Sequence, residues 1–204
     1  MAQIEAERYE TLTDWLRAQA QGITQPVARV LHQWGVHPNL VTLLGFLGCA
    51  GAAGVVAMGH ARVGGVLLAL AASLDAFDGA LARFAGVDSR FGAFLDSTLD
   101  RLSDGAVILG ILWWQLPTVD PVMALLLFLL LLGAVMVSYT RARAEGAGYS
   151  CKVGLLTRVP RVAMLVWGLI LGWIRPMIIL MVVLSWFTVL QRILHVYRVA
   201  QQDA

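Results

Sequence analysis

Charged residues are scarce in this chain and make up only 14% of its 204 residues. A soluble domain carries about 25% charged residues. At 59%, the hydrophobic residues are too many for one soluble core of this size to bury. The formal net charge of +2 is too small to suggest binding to nucleic acid. The composition therefore predicts an integral membrane protein.

Cysteine and lysine are rarer still. Cys49 and Cys151 lie far apart without metal-binding spacing, so neither a disulfide framework nor a zinc site is implied. Lys152 is the single lysine, so almost all basic residues are arginines, whose planar fork suits phosphate or carboxylate. The first ten residues contain no apolar stretch, and we therefore expect no cleaved signal peptide.

Long apolar runs dominate the rest of the chain. Crossing a bilayer takes about 20 mostly apolar residues. Six candidate spans meet this requirement, at roughly 40–59, 63–83, 91–116, 121–142, 159–174 and 176–197. The first span contains four small residues that are expected to let it pack closely against a neighbour, namely Gly45, Gly48, Gly51 and Gly54.

The segment before the first span has a different pattern. Apolar residues from Val27 to Trp34 recur at helical spacing behind Pro26 and end at Gly35, which is typical of an amphipathic interfacial helix. A more polar helix, about 4–20, precedes it and could equally be a frayed, solvated terminus. The predicted fold is therefore an all-α integral membrane protein. It comprises N-terminal cytoplasmic and interfacial helices over 1–36 and six transmembrane helices over 37–204.

The basic residues predict the orientation. With six spans and both termini on one side, twelve basic residues fall on that side and two, Arg62 and Arg175, on the other, leaving out Arg101 inside a span. The positive-inside rule then places both termini and the 84–90 and 143–158 loops in the cytoplasm of a cell-membrane protein.

Acidic residues are concentrated in two of the spans. Asp75 and Asp78 are three residues apart, and Asp96 and Asp100 are four apart, so each pair shares one helix face. The short loop between the two helices predicts that they fold back as antiparallel neighbours. Four crowded carboxylates repel one another unless cations neutralise them, and oxygen ligands favour Mg²⁺ or Mn²⁺. Helices held by buried ion pairs, without catalysis, are the alternative.

These residues belong to a longer motif with eight fixed positions, Asp75-x2-Asp78-Gly79-x2-Ala82-Arg83-x8-Gly92-x3-Asp96-x3-Asp100. The motif resembles the signature of the CDP-alcohol phosphotransferase family. Members of that family are membrane enzymes that transfer a phospho-alcohol group from a CDP-linked donor to an acceptor hydroxyl and release CMP. The resemblance implies two Mg²⁺ ions, with Mn²⁺ as a substitute, and a homodimer.

The resemblance also assigns roles to the carboxylates. Asp75 and Asp96 are expected to hold both ions and Asp78 the first. Asp100 is expected to hold the second ion and to take the proton of the acceptor hydroxyl.

On the donor side, Gly79 and Ala82 are expected to leave room for the cytidine part, and Arg83 to bind donor phosphate. Asn39 and Thr42 match a nucleotide-side segment but could also cap the first span. Ser89 matches a donor-contacting hydroxyl but could be an ordinary turn residue.

Two further acids in this region have simpler interpretations. Asp88 is expected to be solvated. Asp104 is expected to pair with a nearby arginine or to cap the polar cavity.

A second basic cluster bears on the acceptor. Segments 100–105, 138–145, 154–161 and 191–192 are similar to those of phosphatidylinositol phosphate synthases, which implies CDP-diacylglycerol as donor and inositol phosphate as acceptor. The acceptor-binding residues implied are Ser138, Arg141, Arg158, Arg161 and Arg192. Anchoring of the helix ends to anionic lipid is the alternative for each arginine.

Three other functions remain open at this level. A phosphatidylglycerophosphate synthase would also take a phosphorylated acceptor. Acids inside a membrane could instead form the ion or proton path of a transporter. A purely structural scaffold would need no such acids.

Overall fold

The computed structural model describes residues 12–87, 89–118 and 120–202, which form an all-helical bundle without strands in these ranges. Over this part of the chain seven helices follow one another, α1 (Leu12–Gln33), α2 (Pro38–Ala57), α3 (Ala61–Ala85), α4 (Arg90–Gln115), α5 (Pro121–Gly146), α6 (Arg158–Leu171) and α7 (Ile174–Gln202). The predicted all-α class is confirmed.

The N-terminal region is a single described helix, not the two that the sequence predicts. α1 runs without a break through Pro26, and residues 4–11 of the more polar predicted helix lie outside the described residues. A proline removes one backbone hydrogen bond, which buried packing can offset. Here Ala28 packs into a small apolar cluster with Val41 of α2 and with Ala80 and Leu81 of α3. The burial of this face explains why the helix continues past the proline.

Helix α2 lies between the two helices that carry the carboxylates. It packs against both α3 and α4, whereas α3 and α4 make little direct backbone contact with each other. The prediction that α3 and α4 are direct neighbours is therefore wrong. The interposed helix separates them, so that their carboxylates face one another across a gap.

Small residues allow α2 to pack closely on both sides. A methyl group built on Gly110 of α4 would lie 2.5 Å from the Ala53 carbonyl oxygen. On the other side, Gly48 of α2 lies against Ala71 of α3. Of the four glycines predicted for this role, Gly45 and Gly48 face α3, but Gly51 and Gly54 have open space where a methyl group would lie.

The second half of the bundle is built around α7. Helices α5 and α6 both pack against α7, and α6 also packs against α3. At the start of α5, Asp120 accepts a hydrogen bond of 2.8 Å from the Met123 N–H and pairs with Arg175 at 2.7 Å. The Met123 N–H, and secondarily Arg175, lower the pKa of the Asp120 carboxyl. This cap therefore contributes stability at neutral pH and loses that contribution as the pH falls through the lowered pKa.

Within the described residues, four helices are long and apolar enough to cross a membrane, namely α2, α3, α5 and α7. This supports a membrane protein. Helix α4 has 26 residues but carries five charged residues between Arg90 and Asp104, and α6 has only 14 residues. Neither is among the four, so the predicted six-span layout is not confirmed.

The contact of Gly110 with Ala53 leads to a stability prediction. Gly110→Ala forces a methyl group against the α2 backbone and should destabilise the protein by about 1–3 kcal/mol, the usual effect of overpacking. Gly51→Ala is the matched control, because its methyl group meets open space and alanine favours a helix. Thermal unfolding in detergent should show a lower Tm for Gly110→Ala only. Equal Tm values for Gly110→Ala and Gly51→Ala would contradict this prediction and would mean that α2 and α4 can move apart at little cost.

Candidate active site

Three carboxylates from two helices meet at the gap between α3 and α4. One oxygen each of Asp75, Asp78 and Asp96 lies within 4.8 Å of the other two. Asp78 is 6% exposed, and the other two are half-buried. The predicted spacing of three residues on α3 does place Asp75 and Asp78 on one face, opposite Asp96 of α4.

Asp100 joins this group through an arginine. The Arg158 guanidinium, at the first residue of α6, lies 2.5 Å from Asp75 Oδ2 and 2.7 Å from Asp100 Oδ1. It therefore bridges α3 and α4 from a third helix. Arg158 was predicted to bind the acceptor. Its contact with the carboxylates could not be predicted from residue spacing, because Asp75 and Asp100 lie far from it along the chain.

Two carboxylate oxygens in the group, Asp78 Oδ2 and Asp96 Oδ1, are buried without a hydrogen-bond partner. Burying such an atom unsatisfied costs about 1–3 kcal/mol, and more for a charged group. Hard divalent cations take oxygen ligands, and this donor set consists of carboxylate oxygens alone. The residues present therefore fit a Mg²⁺ or Mn²⁺ site.

The predicted donor residues lie at the neighbouring ends of α2, α3 and α4. A methyl group on Gly79 would lie 3.3 Å from Nη1 of Arg83, so the exposed guanidinium lies across that glycine. Ala82, one turn after Asp78, is half-buried on the same helix. The absence of a side chain at Gly79 leaves the room that Arg83 uses.

Asn39 and Ser89 converge on a second glycine. A methyl group on Gly92 would lie 3.0 Å from Ser89 Oγ and 3.2 Å from Asn39 Oδ1. Ser89 is the N-cap of α4 and accepts a 2.9 Å hydrogen bond from the Gly92 N–H. Ser89 therefore caps α4, a local structural role like that of the turn residue given as its alternative. Its predicted contact with the donor stays a prediction. Asp88, expected to be solvated, lies outside the described residues.

The start of α2 is capped by a residue that the sequence analysis did not select. His37 is the N-cap and accepts a 3.2 Å hydrogen bond at Nδ1 from the Asn39 N–H. Neither Asn39 nor Thr42 is the N-cap of α2, so this alternative for them is wrong. Thr42 lines a narrow cleft with Asp75, Asp78 and Asp100.

A larger cavity of about 1100 Å³ opens beside the carboxylates. Its wall includes Asp75, Asp96 and Asp100, and four of the five predicted acceptor residues, Ser138, Arg141, Arg158 and Arg192. Five basic side chains share this wall with the three aspartates and Glu145, namely Arg101, Arg141, Lys152, Arg158 and Arg192. The arginine forks beside the acidic group are suited to a phosphorylated ligand.

The basic residues on this wall are held by different partners. Arg192 donates to the Val153 carbonyl at 2.9 Å and also to the Val137 carbonyl. Arg141 forms a half-exposed pair with Glu145 at 2.8 Å. Arg192 therefore fixes the wall, whereas Arg141 faces the open side.

Arg101 and Lys152 also line the cavity, although sequence analysis did not assign them to the site. Arg101 Nε donates to Ser138 Oγ at 2.9 Å, and another of its nitrogens lies 3.5 Å from Asp100. A charge inside a predicted span was the available signal for Arg101. No comparable signal was present for Lys152, since it falls in a loop.

A family model described as CDP-alcohol phosphatidyltransferase matches residues 35–196. The chain is 38% identical over 175 residues to archaetidylinositol phosphate synthase of Pyrococcus horikoshii, covering 84% of this chain and 90% of the relative. The chain belongs to the CDP-alcohol phosphatidyltransferase family. It is also 38% identical over 154 residues to phosphatidylinositol phosphate synthase of Mycobacterium tuberculosis, covering 74% of this chain and 71% of the relative.

Solved structures of the Mycobacterium tuberculosis phosphatidylinositol phosphate synthase have the same fold. The structure with CDP-DAG bound superposes with a TM-score of 0.80 at 33% identity, covering 86% of this chain and 94% of that chain. A second structure, in complex with manganese and citrate, gives a TM-score of 0.79 at the same identity, covering 86% and 89%. This CDP-alcohol phosphatidyltransferase is therefore a phosphotransferase of phospholipid biosynthesis.

One predicted acceptor residue of this phosphatidyltransferase is not on the cavity wall. Arg161 is 1% exposed and pairs with Asp104, which is 5% exposed and lies one turn beyond Asp100 on α4. The predicted pairing of Asp104 with an arginine is confirmed. The burial of Arg161 favours a role in joining α6 to α4 over contact with a substrate.

The buried pair leads to a second stability prediction. Arg161→Met leaves Asp104 as a buried carboxylate without its partner, which costs about 3–5 kcal/mol. Replacing both residues, as Asp104→Leu with Arg161→Met, should restore much of the stability, since no buried charge is left. Urea or thermal unfolding of the solubilised protein measures both effects.

Arg175→Met is the matched control, because it breaks the half-exposed pair with Asp120. Exposed pairs contribute about 0–1 kcal/mol. A stable Arg161→Met protein with a specific loss of acceptor affinity would contradict the structural role and favour the acceptor assignment.

Proposed function

We propose that this enzyme transfers the phosphatidyl group of CDP-diacylglycerol to inositol phosphate, forming phosphatidylinositol phosphate and CMP. The observation that carries the proposal is the basic cavity adjoining the carboxylates of α3 and α4. Relatives named archaetidylinositol phosphate synthase and phosphatidylinositol phosphate synthase support the choice of acceptor. A solved relative with CDP-DAG bound supports the donor.

Two divalent cations are proposed for the acidic group. Asp75 and Asp96 would bind both, Asp78 the first and Asp100 the second. Bound cations would supply neutralisation of charge on the phosphoryl oxygens. The unpartnered oxygens of Asp78 and Asp96 support this assignment, as does the relative solved with manganese.

The remaining chemistry falls to the side chains. Arg83, beside Gly79, is proposed to bind the donor phosphate, with Asn39 and Ser89 near the nucleotide. Asp100 is proposed to accept the proton of the acceptor hydroxyl. As the proton leaves, the hydroxyl oxygen attacks the phosphorus that bears the diacylglycerol. The new P–O bond forms as the bond to CMP breaks, and CMP leaves.

The membrane arrangement is also proposed. Helices α4 and α6 would complete six spans, with both termini and the active site facing the cytoplasm and α1 lying in the interface. Twelve basic residues on that side against two on the other support the orientation. A homodimer in the cell membrane is proposed from the family resemblance.

The acceptor can be tested directly with purified protein. With CDP-diacylglycerol and Mg²⁺, inositol phosphate should give CMP release, while free inositol should give little because it has no phosphate for the basic cavity. CMP and the lipid product are measured by chromatography. A faster rate with glycerol phosphate would instead identify a phosphatidylglycerophosphate synthase. A transporter or scaffold would release no CMP with any acceptor.

The metal site can be tested with isosteric variants. Asp75→Asn and Asp96→Asn each remove a charged ligand proposed for both ions, so CMP release should fall by at least about 10²-fold, as should that of the native enzyme in excess chelator. Asp120→Asn is the matched control, since asparagine also caps a helix and Asp120 lies in the turn before α5, outside the acidic group. Near-native activity of Asp75→Asn would show that the ligand assignment is wrong.

A further inference from the structure

Arg158 belongs to two sites at once. Its guanidinium bonds to Asp75 of α3 and Asp100 of α4, while the same side chain lines the basic cavity proposed for the acceptor. The side chain is 17% exposed, so it is held in the gap but open to the cavity.

The contacts of Arg158 occupy one carboxylate oxygen of each of two proposed metal ligands, Asp75 and Asp100. Its Nη1 lies 2.5 Å from Asp75 Oδ2 and 2.7 Å from Asp100 Oδ1. These two residues belong to the set proposed to hold the cations. Arginine stays charged at all relevant pH values, so it cannot yield the carboxylates by losing a proton. A divalent cation can use these two oxygens only when the guanidinium moves away.

Resting on the proposed function, we propose that Arg158 couples acceptor binding to metal binding. Through its contacts with Asp75 and Asp100 it neutralises both carboxylates and so competes with the divalent cation for their oxygens. A phosphate monoester dianion that enters the cavity draws the guanidinium off the carboxylates, and the affinity for the cation rises. Arg158 is thus a positioning residue whose two alternative partners link the two sites.

The surroundings of Arg158 support such a movement. Its Nε is buried without a hydrogen-bond partner, so the present position of the side chain leaves one of its donors unsatisfied. Arg141 and Lys152 on the same wall add positive charge that attracts an anion to this cavity. Val159 of the adjacent turn and Thr157 also line the cavity, so the chain around Arg158 borders open space on that side.

Linkage sets the size and symmetry of the effect. When a site is blocked for most of the time, its apparent affinity is the intrinsic affinity multiplied by the fraction of molecules in which the site is open. If the acceptor raises the affinity for the metal by some factor, the metal must raise the affinity for the acceptor by the same factor. Couplings between sites are typically about 5- to 150-fold.

The first test measures metal affinity without activity. Mn²⁺ is titrated into purified, solubilised protein without lipid donor or acceptor, and free Mn²⁺ is followed by electron paramagnetic resonance. Arg158→Gln should bind Mn²⁺ at least about 5-fold more tightly than the native protein, because the competing guanidinium is gone.

Arg141→Gln is the matched control. It removes the same charge from the same cavity wall, but Arg141 pairs with Glu145 at the end of α5 and not with the carboxylates of α3 or α4. It reports the general effect of a lost positive charge. Arg158→Lys keeps the charge without the fork and should bind Mn²⁺ with intermediate affinity, and it replaces Arg158→Gln if that variant does not fold.

The second test measures the coupling itself. Inositol phosphate should tighten Mn²⁺ binding to the native protein by about 5-fold or more, while free inositol should leave it unchanged. Inorganic phosphate separates the phosphate group from the polyol as the source of the effect. In Arg158→Gln the effect of inositol phosphate should be much smaller, since nothing remains to be displaced.

Two results would overturn the inference. One is an Arg158→Gln affinity for Mn²⁺ no tighter than that of Arg141→Gln. The other is a native affinity that inositol phosphate does not change. If CMP release with inositol phosphate is normal while either result is found, the proposed function stands and only the coupling fails. If inositol phosphate is not a substrate and does not bind, the proposed function fails instead.

Discussion

The cost of holding carboxylates away from water, among apolar helices, governs the arrangement of this bundle. Asp75, Asp78, Asp96 and Asp100 face one gap, and an uncompensated charge there would be strongly destabilising. Arginine and the proposed divalent cations are the available compensation. Helix α6 supplies Arg158 to this group and Arg161 to Asp104, one turn further along α4. A third helix is therefore required to neutralise the acids of the other two.

The geometry of the gap depends on a helix that carries no charge. Helix α2 separates α3 from α4, and its small residues set the distance between them. Direct packing of α3 on α4 would press the carboxylates together. A wide separation of α3 from α4 would leave the carboxylates of each helix without the partners that the other side of the gap provides. Close packing at Gly110 and Gly48 fixes a spacing at which carboxylates of α3 and α4 come within reach of one another.

Sequence predicted the local parts of this site well. The three-residue spacing of Asp75 and Asp78 placed them on one face, and a short loop brought Asp96 close to them. The contacts of Arg158 and Arg161 could not be predicted in this way, because their partners lie 57 or more residues away along the chain. The continuation of α1 through Pro26 also escaped prediction, since it depends on tertiary burial of Ala28, which outweighs the local preference of proline. For the same reason, the glycines that pack closely could not be told from those that face open space.

The shortness of α6 has a consequence for the surrounding lipid. A helix of 14 residues measures roughly 21 Å, against about 30 Å for the hydrocarbon core of a bilayer. A bilayer adapts to such a mismatch by thinning locally. If α6 completes a span, the headgroup layer would dip towards its basic end, at Arg158. The proposed acceptor, a water-soluble polyol phosphate, and the phosphates of the proposed nucleotide-lipid donor would then lie at one depth. Neither substrate would have to leave its own phase to meet the other.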